Sequence, residues 1–199
     1  QGSSNTAGSI NTTYTSANTT AGFSISKYTG TGSTATVGHG LGVAPKMIIF
    51  KNTSSAVDWR VYHESLGNTH RLCLNDTSAS NNDDSAFNDT SPTSTVFTVG
   101  GSSSTNSGTM IAYCFAEKPG YSRFGIYEGT GNATQAPFIF TGFKPSFILT
   151  KQSSASGEGW LMHDNKRLGY NPDNNTFYAS GDNVEATGDY LDILSNGFK

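Results

Sequence analysis

One pattern is written twice along this chain. Residues 38–52 read "GHGLGVAPKMIIFKN", and residues 140–152 read "FTGFKPSFILTKQ". Each is a glycine-rich turn ending in a proline, followed by an apolar β-branched run and a lysine. The match extends further. "ISKYTGTGSTAT" (25–36) returns as "FGIYEGTGNATQ" (124–135), and "WRVYH" (59–63) returns as "WLMHD" (160–164). Tyr28 aligns with Tyr127, Pro45 with Pro145, Lys51 with Lys151 and Trp59 with Trp160, so the offset drifts from 99 (127 − 28) to 101 (160 − 59). Single-residue drift is what loop insertions leave between related strands. A period near 100 belongs to domains or half-domains, not to solenoid units. The reading is an internal duplication.

The repeated segments read as strands. "FSISKY" alternates apolar and polar residues, the period-2 pattern of a half-buried strand. "KMIIFKN" and "SFILTKQ" are continuous apolar runs bounded by turn residues, as in strands covered on both faces. The expectation is that Ile48, Phe50, Phe147 and Leu149 point into apolar layers. "TVFTVG", "TMIAYCFAE", "PFIFTG" and "YLDILS" extend the series at the spacing of a sandwich or barrel. No stretch carries a 3.6-residue apolar stripe. The expected fold is an all-β antiparallel β-sandwich, jelly-roll-like, built from two internal repeats.

Composition agrees and excludes some functions. Charged residues make up 14% of 199, and Ser, Thr, Asn and 23 Gly take their place beside 12% aromatics. The net charge is −3 and the longest basic cluster is Lys166-Arg167, which disfavours a phosphate-tracking nucleic-acid groove. No apolar run reaches the roughly 20 residues of a membrane helix. Cys73 and Cys114 sit in the strand-like runs "RLCLND" and "MIAYCFAE". They read as core thiols, with a disulfide between them as the alternative, although small oxidised domains usually carry more pairs. The first residue is Gln1, and no signal peptide is visible, so the sequence reads as a processed or partial piece of a longer protein.

Three segments follow from this. Residues 1–21 are Ser/Thr/Asn-rich and read as an arm or linker; 22–117 form a first β repeat; 118–199 form a second one without its closing strand. A single Pro-Gly turn in "FAEKPGYSRF" joins the repeats, so they should pack as one body.

The stretch "NTTAGFSISKYTGTGSTATVGHGLGVAPKMIIFKN", with "WRVYH", "MIAYCFAEKPGYSRFGIYEGTGN" and "FTGFKPSFILTK", resembles a family of domains of unknown function in virion appendage proteins of tailed bacteriophages, tail-fibre-like or capsid-associated. The resemblance runs from about Asn18 to Lys199. It implies a concanavalin-A-like or laminin-G-like jelly roll at a particle surface, and it supplies no catalytic residues. Members continue past "LSNGFK" into a strand similar to "SGTMIAYCFAE", whereas this sequence stops at Lys199.

Candidate chemistry is sparse. His63-Glu64 and His163-Asp164 follow the two tryptophans and could act as base or metal ligand; the plainer reading is that they close strand ends by local hydrogen bonds. The acidic loops offer Asp83, Asp84 and Asp182 as oxygen donors for Ca²⁺, without EF-hand spacing. Aromatic side chains could stack on sugars; Trp59 and Trp160 read as core, leaving Tyr170, Asn174 and Tyr178 as the carbohydrate-binding candidates. Seven Asn-x-Ser/Thr sequons, at Asn11, Asn18, Asn52, Asn75, Asn88, Asn132 and Asn174, are what a chain rich in these residues produces by composition. Ile10 and Tyr14, the large apolar residues of the arm, are candidates for donation to a neighbouring chain.

The functional expectation is a non-enzymatic structural and adhesive module of a phage virion appendage, at the virion surface or otherwise extracellular. It needs no cofactor or metal. Its expected partners are further copies of itself in a trimer or fibre, other virion proteins and weakly bound host-surface glycans, with no nucleic acid and no membrane. The alternatives are a subunit of a polymeric extracellular fibre assembled by inter-chain β-pairing, and a polysaccharide depolymerase, for which no carboxylate pair stands out.

Overall fold

A computed structural model describes the chain except residues 1, 168–170, 172–174 and 189, and except the side chain of residue 133. Nine strands come from the first part: β1 (Tyr14–Asn18), β2 (Phe23–Thr31), β3 (Ala35–Gly38), β4 (Met47–Asn52), β5 (Arg60–His63), β6 (His70–Cys73), β7 (Asn81–Asn82), β8 (Val96–Val99) and β9 (Ser107–Phe115). One short helix, α1 (Asp84–Phe87), interrupts them. Six follow: β10 (Ile139–Phe140), β11 (Phe147–Lys151), β12 (Trp160–Asp164), β13 (Phe177–Tyr178), β14 (Ile193–Leu194) and β15 (Gly197–Phe198). The fold is an all-β antiparallel sandwich.

A seven-stranded sheet in the order β1-β2-β9-β4-β5-β6-β7 is the main layer, and the β3–β8 pair belongs to the facing one. Between them lies a core of Tyr28, Val37, Ile48, Phe50, Tyr62, Phe87, Phe97, Met110, Ala112 and Cys114. Phe97 meets Phe50 edge-on at 5.3 Å between ring centroids, a favourable aromatic geometry. Ile48 and Phe50 face this core as expected, at 1% and 0% exposure. Strand β2 inverts the expected alternation. Ser24, Ser26 and Tyr28 face inward, while Phe23 and Ile25 face outward. Of the two inward serines, Ser26 has a polar partner: its Oγ donates to the Gly38 carbonyl at 3.0 Å.

The outer face of the main sheet is covered in turn. Strands β11-β12-β13 form a sheet whose Trp160 and Leu149 pack with Met47, Val61 and Leu72. Its other face meets the β10-β15-β14 sheet through Ile148, Leu191, Ile193 and Phe198. Strand β4 is thus covered on both faces. Strand β11 corrects one expectation: the buried residue is Ile148, at 7%, and Phe147 is 57% exposed. Phe147 lies at the strand's start, on an edge where no strand covers it among the described residues.

The first 21 residues are not a detached arm. Strand β1 pairs with β2 from Tyr14↔Lys27 to Asn18↔Phe23, and Ile10 bridges to Val37. Ile10 is 8% exposed and fills this chain's own core, which corrects the expectation that it reaches a neighbour. Tyr14 stays 46% exposed on the sheet's outer edge strand.

The two halves of the chain compare directly. Order and sense are the same in β4-β5-β6 and β11-β12-β13. Met47 pairs with His63, and Phe147 pairs with Asp164, each partner shifted by the offset read from the sequence. Gly42 and Gly142 both hold positive φ, at 75° and 85°, in the turns that Pro45 and Pro145 close.

Candidate functional site

His63 stands four residues after Trp59 and His163 three after Trp160, and the register separates them accordingly. His63 pairs with Met47, whereas His163 pairs with Ile148 and so occupies the place of Tyr62. They therefore face opposite sides of their sheets. His63 Nδ1 accepts from the Ser65 N–H at 3.2 Å and caps a short 3-10 turn. His163 is 2% exposed, and its Nε2 lies 2.8 Å from Thr176 Oγ1, itself 1% exposed. A hydroxyl–imidazole pair buried to this depth offers a substrate no approach. Burial holds the His163 pKa below its ordinary value; Arg167 adds to the effect and Asp164 opposes it.

The oxygen-donor candidates do not converge. Asp83 accepts from Arg71 Nε at 3.3 Å and from the Ser85 hydroxyl at 2.5 Å. Asp84 lines an open polar depression with Asn88, Asp89 and Gly101, and Asp182 sits on an exposed loop. Among the described residues, one group of three potential metal ligands comes together, Asp58, Cys73 and Asp76, with atoms within 4.8 Å of one another. Two guanidinium groups already supply the positive charge there. Arg60 Nη1 donates to Cys73 Sγ at 2.6 Å and to Asp58 at 3.0 Å, and Arg71 Nη1 donates to the same sulfur at 3.0 Å. That arrangement is an ion-pair knot beneath Trp160, not a vacancy for a cation. The two cysteines are free and buried, and no disulfide joins them.

Of the carbohydrate candidates, Tyr170 and Asn174 lie outside the described residues. Tyr178 is half-buried in β13, next to Phe177, whose ring carries the Arg167 guanidinium at 4.1 Å. The tryptophans part company. Trp160 is core at 4% exposure, but Trp59 is half-exposed, stacked on Tyr113 at 6.4 Å and 16° with Lys51 Nζ 5.1 Å from its ring. A core reading of Trp59 missed this, because Lys51 eight residues earlier gave no sign that it would fold back over the ring.

Exposed apolar groups are distributed unevenly. Of the twelve large hydrophobic residues exposed among the described residues, nine lie beyond residue 120: Tyr121, Ile126, Tyr127, Phe138, Phe140, Phe147, Phe177, Val184 and Tyr190. Seven of those are aromatic. The second half presents more exposed aromatic faces than the first, whose Tyr28, Phe50, Tyr62, Phe87 and Phe97 lie in the core.

Fold and surface together define a layered all-β module that encloses one set of aromatic side chains in its core and displays another beyond residue 120. The chain belongs to a domain family of unknown function, DUF7483, whose pattern matches residues 1–199. No curated protein and no solved structure matches it. Among the described residues, no helix is long and apolar enough to cross a membrane.

Proposed function

We propose that this chain is a non-enzymatic structural and adhesive module of a bacteriophage virion appendage, displayed in many copies and binding host-surface glycans weakly. The observation that carries the adhesive part is the surplus of exposed aromatic side chains beyond residue 120. Aromatic rings offer flat apolar faces to the C–H side of a pyranose, and a shallow single site gains strength through repetition on one particle. The virion setting rests on the sequence resemblance. A low-charge surface rich in Ser, Thr, Asn and Gly suits a durable extracellular part. In this reading the two halves are copies of one ancestral unit, and the matched order of β4-β5-β6 and β11-β12-β13 supports that.

The glycan contact falls on the second half, around Phe177 and Tyr178. Glycan-array binding of the chain displayed multivalently tests it, with Phe177→Ala and Tyr178→Ala together as the variant. Loss of binding supports the assignment; unchanged binding removes these residues from it. Detection of the chain in purified particles by mass spectrometry tests the virion setting, and its absence from particles would overturn that setting.

A further inference from the structure

The Phe177 ring, 40% exposed, shares its place with three charged groups. Strand β13 pairs Phe177 with Met162, and Asp164 stands two residues further along the same face of β12. The antiparallel Thr176↔Ala186 bridge brings Glu185 beside Phe177. The Arg167 guanidinium lies over the ring, 4.1 Å from its centroid. Two carboxylates hold it there: Nε donates to Asp164 Oδ2 at 2.6 Å and Nη1 to Glu185 Oε1 at 2.5 Å. Its Nη2 donates to the Met162 carbonyl at 3.2 Å.

One guanidinium against two carboxylates leaves the group net negative. The cation is also its most enclosed member, with a side chain 21% exposed beside 27% for Asp164 and 34% for Glu185. Each nitrogen of Arg167 already has an acceptor and one face of the guanidinium lies on the ring, so an anionic ligand finds no free cation in this group. Lys166, in the adjoining turn, is exposed and joins none of these ion pairs. Glu185 Oε2 takes no hydrogen bond among the described residues and can accept one from a hydroxyl.

We infer that the Phe177 site takes uncharged sugars and rejects anionic ones, whether sialylated, uronate-bearing or sulfated. The inference rests on the adhesive reading and names the ligand class of that same site. A neutral pyranose sets its C–H face on the ring and offers hydroxyl donors to Glu185. A carboxylate or sulfate in the same place meets Asp164 and Glu185 with their cation already engaged. Like charges brought together without a partner exclude wrong ligands, which is how such a site selects.

The test is an array of matched glycans, each neutral oligosaccharide beside its sialylated, uronate or sulfated counterpart, probed with beads carrying many copies of the full chain. The expected result is binding to neutral members and a signal at least about fivefold lower on their anionic partners at low salt. That ratio should shrink in 0.5 M NaCl, roughly, where exposed charges are screened. It should also shrink for Glu185→Gln, checked for native circular dichroism; the salt series keeps the test valid if that variant does not fold. Anionic members bound as well as neutral ones, or better, would overturn the inference while leaving the adhesive reading intact. A preference for neutral members that salt leaves unchanged, or that survives Phe177→Ala with Tyr178→Ala, would overturn it too, by placing the selection elsewhere. Beads that bind neither class would overturn the adhesive reading and this inference with it.

Discussion

The Trp160 indole N–H donates to the Cys73 carbonyl at 2.7 Å, joining the second half of the chain to the first. The same ring packs with Met47, Val61 and Leu72, so one side chain couples the outer sheet to the main one by both contact and direction. Trp160→Ala is expected to cost about 3–5 kcal/mol, the usual range for emptying a large aromatic site. Trp160→Phe keeps most of the packing but strands the carbonyl, at about 1–3 kcal/mol. Urea denaturation followed by circular dichroism measures both, and a Trp160→Phe cost near zero beside a large Trp160→Ala cost would show that the hydrogen bond contributes little.

Asn106 is a second fixed point. Its amide group donates to the Ser33 and Gly100 carbonyls at 2.6 and 2.7 Å, and its carbonyl accepts from the Thr31 N–H at 2.9 Å. It is 0% exposed. Asn106→Ala would leave buried backbone groups unpaired, at about 1–3 kcal/mol for the first of them and more for the set. Asn106→Asp should be no milder, because it loses both donors and adds a buried charge. The melting temperatures of the two variants check this.

Both thiols should be silent in the folded state. Burial pushes the Cys114 pKa up to about 12, and burial raises that of Cys73 against the opposing pull of Arg60 and Arg71. A thiol-reactive dye at pH 8 is expected to label neither in buffer and both in denaturant, since the thiolate is the reactive form. Reducing agent should leave the melting temperature unchanged. Fast labelling of Cys73 in the native chain would contradict this placement.

Acid should weaken the fold through its histidines. His39 is 0% exposed; burial lowers its pKa, and its hydrogen bond to the Thr93 carbonyl opposes the shift. His163 is lowered in the same direction. Both are held neutral when folded, while the unfolded chain takes up their protons near pH 6.5. Their contribution is therefore fully present above that pH and is lost as the pH falls below it. The melting temperature is expected to hold between pH 7 and 8 and to drop from 6.5 toward 5. His163→Gln should flatten part of that drop. A melting temperature that rises on acidification through this window would contradict the assignment.

Much of the architecture was legible in the chain. The turns before β4 and β11 and those two strands themselves follow from glycines, prolines and apolar runs. Which face of a strand is buried was less legible. Strand β2 buries Ser24 and Ser26 and exposes Ile25, because two layers compete for the main sheet and the Gly38 carbonyl on the inner side gives Ser26 a partner. The histidines illustrate the same limit: both follow a tryptophan, yet one residue of register puts them on opposite faces. Ile10, in a stretch of low apolar content, fills the core through a single bridge that composition does not announce.

The most direct test of the adhesive account is a glycan array probed with beads that carry many copies of the full chain. The account predicts binding to at least one class of surface glycan, weak for the free chain, strong for the beads, and lost when Phe177→Ala and Tyr178→Ala are introduced together. Beads that bind no glycan at any density would contradict it.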